Sequence, residues 1–385
     1  MFELMDEWGP EKVVCVSDPR TGMRGVLVID NTARGMGKGG TRMSPTLSVE
    51  EVARLARVMT WKWAGVDLFF GGAKAGIRFD PASPDKEAAL RAFVRLLSNE
   101  IPREYVIGLD MGLTERDAAI VQDELRDRGA AVGTPAELGG VPYDELGVTG
   151  YGVAEATDAV FPLAGKRVAI QGLGAVGRAA ARRYAELGAV IVAVSSALGA
   201  VHDPNGLDVT RLLAVPGDAA VIEYSGGARL TLGAELLVPT DVLVPCALQD
   251  VIDDSLAGKI EASVVVEGAN MPTSPAAQEV LAARGITVLP DFIANAGGVV
   301  AAGFAMDARH SAFRPDPAAI YATISAKLRA NAVTVLEHAS AAGATTHQAA
   351  RALAESRVRK AMELKGRTPG ESRSGTHRMS VSGTA

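Results

Sequence analysis

Alternating apolar and polar positions mark the first elements of the chain. Residues 13–30 (VVCVSDPRTGMRGVLVID) hold two β-rich runs on either side of residues 18–22, a turn signal that predicts a hairpin. The glycine-rich stretch 32–40 (TARGMGKGG) reads as a loop carrying Lys38. Residues 48–62 then repeat apolar positions at Val52, Leu55, Ala56 and Met59, the spacing of an amphipathic helix. Ser48 is its expected N-cap, with Glu50 and Glu51 in the first turn. A second helix is expected over 83–98, with Pro84 in the favoured first position after Ser83. A short strand over 105–109 leads into Asp110, and a charged helix over 114–127 starts under Thr114. Residues 133–150 are irregular, broken by Pro135, Gly139, Gly140, Pro142 and Gly147, and a helix is expected from Gly150 to Val160.

The pattern changes after Lys166. Strand 167–171, helix 175–187 and strand 189–195 make a β-α-β unit. Continuous apolar runs at 242–244, 264–267 and 287–289 are of the kind that buried parallel strands need. Residues 317–364 read as two helices, and the polar tail 367–385 has little to bury and is expected to be disordered.

At 385 residues the chain exceeds one ordinary core, and two domains meeting near residues 148–149 are expected, of α/β class. A net charge of −6 argues against a nucleic-acid partner, which would call for a basic face. Cys15 and Cys246 stand far apart without metal-ligand spacing, so neither a disulfide framework nor a metal site is expected. No apolar segment is long enough to span a bilayer and no N-terminal signal pattern is present, so no membrane association and a cytoplasmic location are expected.

Chemistry concentrates in residues 59–80 (MTWKWAGVDLFFGGAKAGIRFD), where Lys62 and Lys74 bracket an apolar run ending in a glycine turn, Gly71-Gly72-Ala73, read as flexible. An amine in apolar surroundings is costly to keep charged, so its pKa falls and it becomes a usable base. Taken singly, each lysine is as readily a solvated surface group. A second feature stands about a hundred residues on. Gly172, Gly174 and Gly177, with Ala175 and Val176 between them, follow an apolar strand and open a helix. This is the dinucleotide-binding arrangement: a tight turn, close approach of a pyrophosphate, and a helix N-terminus facing it. The next strand closes on Ser195 and Ser196 without the carboxylate that would hold an adenosine ribose diol and repel a 2′-phosphate. NADP or dual use is therefore favoured over strict NAD, unless Asp203 or another acid reaches the ribose from elsewhere.

Together these stretches resemble the glutamate/leucine/phenylalanine/valine dehydrogenase family. The likeness rests on Lys38-Gly-Gly-Thr-Arg-Met43, Met59-Thr-Trp-Lys62, Gly71-Gly-Ala-Lys74, Thr149-Gly-Tyr-Gly-Val153, the Gly172 loop, Val266-Glu-Gly-Ala-Asn270 and Pro290-Asp-Phe-Ile-Ala-Asn-Ala-Gly-Gly298. It implies a substrate and oligomerisation domain over 1–148, a Rossmann-type NAD(P)-binding domain over 149–310, and helices over 311–366 returning to the cleft. By resemblance, Lys62 holds the substrate α-carboxylate, and Lys74 and Asp110 are the catalytic pair. Thr149, Asn270 and Asn295 are placed at the cofactor, near the nicotinamide and its ribose. The implied reaction is oxidation of an L-amino acid to its 2-oxo acid and ammonium, in a homo-oligomer of six or eight chains.

The pocket is mixed. Glutamate-specific members of the family hold the side-chain carboxylate with a lysine before Gly-Gly and a serine after the NAGGV segment. Here the lysine is Lys38, but the serine position is Ala302, and Gly39-Gly-Thr-Arg-Met43 looks more like the leucine-type members. Met59 is expected to line the pocket without discriminating. A charge-assisted hydrogen bond is worth roughly 1.5–3 kcal/mol against about 1 for a neutral hydroxyl, so Lys38 outweighs the missing serine if its amine points inward rather than to solvent. Leu109 before Asp110 and Leu113 after Gly112 also depart from the family pattern, which has small or proline residues at the first place and Thr or Asn at the second. Glutamate is the first expected substrate and an apolar amino acid the alternative. A nucleotide-binding regulator without turnover and a hydroxy-acid dehydrogenase are the remaining readings.

Overall fold

Two sheets organise the chain, and the computed structural model describes residues 2–368. In the first sheet β1 (Lys12–Asp18) and β2 (Met23–Asn31) form the expected hairpin, paired antiparallel from Lys12↔Ile29 to Asp18↔Met23. β3 (Gly37–Lys38), β4 (Thr41–Met43), α1 (Val49–Gly65), β5 (Gly71–Arg78), α2 (Lys86–Leu96), β6 (Tyr105–Val106) and α3 (Glu115–Leu125) follow. The strand order is β1-β2-β5-β3-β6, with β4 also beside β5. Ser48 caps α1 by accepting from Glu51 N–H, and Thr114 and Asp117 form a capping box on α3.

Three local expectations are corrected. Residues 71–73 are not a flexible turn but the start of β5. Gly72 serves contact rather than mobility, since a Cβ there would lie 2.0 Å from Thr60 Oγ1, and only glycine lets α1 lie directly on the strand. Lys38 is in a strand rather than a loop, paired with Gly72 on one side and Val106 on the other. The second helix begins at Lys86 under Asp85 instead of at Ser83. Ser83 Oγ accepts from Asp85 N–H, a local turn bond that competes with helix entry.

The second half runs α4 (Tyr143–Leu146), α5 (Val148–Val160), β7 (Arg167–Gln171), α6 (Ala175–Glu186), β8 (Val190–Ser196), β9 (Gly199–His202), α7 (Val209–Ala214), α8 (Ala219–Glu223), β10 (Ala228–Leu230) and β11 (Val242–Pro245). It continues with α9 (Asp254–Ala257), β12 (Val264–Val266), α10 (Pro275–Ala283), β13 (Thr287–Leu289), α11 (Asp291–Ala294), α12 (Gly297–Ala308), α13 (Pro317–Ala342) and α14 (Thr346–Leu364). The sheet order is β10-β9-β8-β7-β11-β12-β13, parallel from β8 to β13 and antiparallel at β9 and β10. Alternation along the parallel strands feeds two cores. Val168, Ile170, Val242 and Val244 join one, and Ala169, Leu243 and Val265 the other, so both faces are buried.

The last helix returns to the first half. Ala354, Val358 and Met362 of α14 pack with Trp61 and Ala64 of α1. Arg357 Nη1 donates to Ala64 O (2.8 Å) and Gly65 O (2.9 Å), satisfying carbonyls at the C-terminus of α1. Arg367, the first residue of the expected tail, donates to Thr32 Oγ1 at 2.7 Å and pairs with Glu11. Residues 369–385 lie outside the described residues. Among the described residues no helix is long and apolar enough to cross a membrane.

Candidate active site

The sheet register gathers Lys38, Lys74 and Asp110. β5 carries Lys74 opposite Val28 of β2, and Thr41 bridges to Leu109, immediately before Asp110. Lys74 Nζ donates to Asp110 Oδ2, and Arg42 Nε lies 3.6 Å from the same oxygen. Burial acts to raise the Asp110 carboxyl, but Lys74, Arg42 and a 2.7 Å bond from Met111 N–H outweigh it and hold the pKa below its ordinary value. Asp110 is thus a carboxylate with a lysine attached.

Lys38 is 2% exposed, so the solvated alternative does not hold. Its Nζ donates to Val106 O (3.1 Å) and Gly39 O (3.4 Å). Burial, reinforced by the charges of Lys74 and Arg309, lowers its pKa to about 7. The loop after it is held by buried bonds: Trp63 Nε1 donates to Lys38 O (2.9 Å), and Tyr105 Oη donates to Gly39 O (3.0 Å). Half-buried Met59 lies over this loop, its Cγ 3.3 Å from where a Cβ on Gly39 would be. Ala302 is half-buried on α12.

Lys62 bridges the two halves. Its buried Nζ donates to Asn270 Oδ1 (2.7 Å) and Asn295 Oδ1 (3.1 Å), and burial lowers its pKa, opposed in part by Asp291. Asn295 Nδ2 in turn donates to Ala269 O at 3.1 Å. The three residues named separately from the sequence are therefore one hydrogen-bonded group.

The glycine loop has the geometry its spacing implies. Gly172 has φ +91°, with Ala247 packed where a Cβ would go. A Cβ on Gly177 would lie 2.0 Å from Gly172 O, whereas nothing stands within 4 Å of one on Gly174. Gly174 is thus the open position in the cradle, and α6, which begins with Ala175 and Val176, has no side-chain cap on its N-terminus among the described residues. Its free N–H groups suit a pyrophosphate. Thr149 is half-buried in the first turn of α5, its Oγ1 3.0 Å from where a Cβ on Gly298 would be.

The two serines need a correction. Both are buried: Ser195 Oγ accepts from Gly172 N–H (3.1 Å), and Ser196 Oγ donates to Asp218 O (3.0 Å) and accepts from Leu198 N–H (3.2 Å). The strand register turns Ser195 toward the loop it stabilises, and Ser196 Oγ already both donates and accepts within the fold. What bears on NADP is the missing carboxylate, not the serines present.

Sequence reasoning missed the supporting groups. Arg42 sits within a quoted motif but had no assigned role. Glu267, 1% exposed, accepts through Oε2 from Asp291 N–H and His347 Nε2, both at 2.9 Å, and Asp291 accepts from Met271 N–H. Met271 is held at φ +50°, beside Asn270. Glu267 and Asp291 lie inside the Val266 and Pro290 segments, so the only signal was an acid in an otherwise apolar or glycine-rich run. Among the described residues no cluster with metal-ligand composition occurs.

Residues 139–366 match the family described as Glutamate/Leucine/Phenylalanine/Valine dehydrogenase, and residues 10–127 match the Glu/Leu/Phe/Val dehydrogenase dimerisation domain. A glutamate dehydrogenase of Aeropyrum pernix is 37% identical over 292 residues, 70% of this chain and 68% of that protein. An NADP-specific glutamate dehydrogenase of Saccharolobus shibatae is 36% identical over 314 residues, 76% of this chain and 74% of that one. Among solved structures, the hetero-hexameric glutamate dehydrogenase of Thermus thermophilus in its Leu-bound form superposes with a TM-score of 0.80 at 31% identity, covering 93% of this chain and 90% of that one. These matches, spanning both sheets and every motif described above, show that the chain belongs to the glutamate/leucine/phenylalanine/valine dehydrogenase family, as an NAD(P)-dependent amino-acid dehydrogenase acting on CH–NH2 groups.

Proposed function

We propose that the chain catalyses the reversible oxidative deamination of L-glutamate to 2-oxoglutarate and ammonium, with NADP or dual use favoured over strict NAD. The carrying observation is Lys38, a buried amine next to the Lys74–Asp110 pair whose bonds run only to carbonyl oxygens among the described residues. A carboxylate on the substrate side chain supplies the counter-charge such an amine lacks. The names of the relatives support the same substrate and do not favour an apolar one.

In this reading Lys62 takes the α-carboxylate, and its bonds to Asn270 and Asn295 bring that carboxylate to the wall where the two halves meet. The cradle from Gly172 to Gly177 holds the dinucleotide, with Gly174 and the start of α6 at the pyrophosphate and Ser195 fixing the turn. The bound cofactor supplies a hydride acceptor for the substrate Cα. Asp110, held ionised, accepts a proton from the substrate ammonium group as the C–H bond breaks. Lys74, bonded to Asp110, directs water onto the resulting imine carbon and polarises the oxygen that becomes the 2-oxo group. Both water protons end on the departing nitrogen, and the proton on Asp110 returns to solvent.

We assign substrate binding and oligomer contacts to residues 1–148, the dinucleotide to 149–310, and to 311–366 the helices that return to the cleft. β1 has a single neighbour in its sheet and offers an edge for a homo-oligomer, hexamer or octamer. The reading places the enzyme in the cytoplasm, in keeping with Cys15 and Cys246, which are both free. Initial rates of reductive amination test it, pairing 2-oxoglutarate or 4-methyl-2-oxopentanoate with NADPH or NADH. Faster turnover of the branched acid would replace glutamate with an apolar substrate, and cofactor binding without turnover would leave a regulator.

A further inference from the structure

Helix α14 meets both sides of the bonds that Lys62 makes. Toward its C-terminal end, Ala354, Val358 and Met362 pack with Trp61 and Ala64, which flank Lys62 on α1, and Arg357 caps that helix. In its first turn, His347 reaches the second half of the chain, where its Nε2 donates to Glu267 Oε2 at 2.9 Å. About three helical turns, roughly 15 Å, separate His347 from Arg357. One rigid element therefore contacts the lysine's helix and the wall that the lysine bonds to.

From Glu267 the hydrogen bonds run without a gap to both asparagines. Glu267 Oε2 also accepts from Asp291 N–H at 2.9 Å. Asp291 then holds two backbone groups: its Oδ2 accepts from Met271 N–H at 2.9 Å, one residue after Asn270, and its carbonyl oxygen accepts from Asn295 N–H at 2.8 Å. The side chains of these same two asparagines accept from Lys62 Nζ. Glu267, Asp291 and Asn295 are buried, so a donor lost here is not replaced by bulk water. Glu267 Oε1 has no partner, so among the described residues the carboxylate is held by His347 and Asp291 alone.

We propose that His347 is a positioning residue for the α-carboxylate site: through Glu267 and Asp291 it fixes Asn270 and Asn295, and with them the ammonium of Lys62. An ammonium has three N–H donors; the asparagines take two and so aim the third at the substrate. This rests on the reading of Lys62 as the α-carboxylate residue and adds to it a residue that no motif marks. An α-carboxylate is common to every 2-oxo acid and unchanged by the reaction, so its binding contributes alike to ground state and transition state.

The test measures kcat and KM for 2-oxoglutarate and for 2-oxopentanoate, which has the same carbon chain without the distal carboxylate, in the wild-type enzyme, His347→Leu and His347→Gln. His347→Leu should raise both KM values by the same factor, roughly twofold to thirtyfold, the range for a residue acting through a bonded network, with kcat little changed. His347→Gln keeps an N–H donor and should recover part of the loss. If His347→Leu does not fold, His347→Asn takes its place, an amide one methylene shorter than that of glutamine. Wild-type KM values beside a lowered Tm would make His347 a packing residue and overturn the proposal. A rise confined to 2-oxoglutarate, or an equal rise in the glutamine variant, would overturn it too. Failure of the Lys62 reading shows separately, as unchanged KM values in Lys62→Met, and takes this proposal with it.

Discussion

Lys38 makes the proposed recognition of the side chain depend on pH. Its amine is 2% exposed, and burial with the charges of Lys74 and Arg309 brings its pKa from 10.5 to about 7. In the free enzyme the ammonium is complete well below that value and about half lost at it, with a further tenfold loss per pH unit above. A neutral amine still donates a hydrogen bond, so the loss has a floor. It is the difference between a charge-assisted bond, roughly 1.5–3 kcal/mol, and a neutral one of about 1. The gap of about 0.5–2 kcal/mol corresponds to roughly twofold to thirtyfold in kcat/KM. The assay is kcat/KM for 2-oxoglutarate and for 2-oxopentanoate from about pH 6 to about pH 9, a range that spans this titration. Taking the ratio cancels the ionisation of ammonium and of every site group both substrates share. The ratio should fall by that factor with a midpoint near 7 and then flatten, and Lys38→Met should show a low, pH-independent ratio. A flat wild-type ratio, or an undiminished pH dependence in Lys38→Met, would refute the argument.

The same buried amine costs stability. Its folded pKa of about 7 lies below the unfolded value near 10.5, so the unfolded chain binds more protons between them. The penalty is therefore complete below about pH 7 and fades as pH rises toward 10.5, and its ceiling is about 5 kcal/mol. Lys38→Met should accordingly raise Tm most at acidic pH, and calorimetry showing a gain that grows with pH would contradict this. Lys74→Ala should lower kcat by roughly 10²–10⁴ while leaving NADPH affinity, read by fluorescence titration, nearly unchanged; near-normal kcat would remove Lys74 from the chemistry. Gly174 has ordinary φ (−77°) and open space around its missing Cβ, so Gly174→Val should keep Tm and weaken NADPH binding at least about tenfold. Gly177→Ala should do the reverse, losing about 1–3 kcal/mol of stability, because its Cβ would meet Gly172 O.

Those contrasts show what a chain of this kind discloses before it is folded. The hairpin, the Ser48 cap and the glycine cradle were legible because each is decided within a few residues by alternation, a side-chain acceptor or a required φ. Lys62 and its asparagines were legible only as separate motifs, since the bonds joining them span 208 and 233 residues. Ser195 misled because residue type indicates what a hydroxyl can do, whereas the β7–β8 register decides that it faces Gly172. Lys38 shows the limit most sharply. A lysine in a glycine-rich stretch leaves open whether its amine faces the pocket or solvent, and it is two short strand pairings with partners far along the chain that bury it. Candidate catalytic groups in this fold are named by residue type at fixed spacing, but the proposed reading of the substrate side chain rests on the burial of Lys38. For that reason the decisive measurement is a substrate ratio against pH rather than a further comparison of motifs.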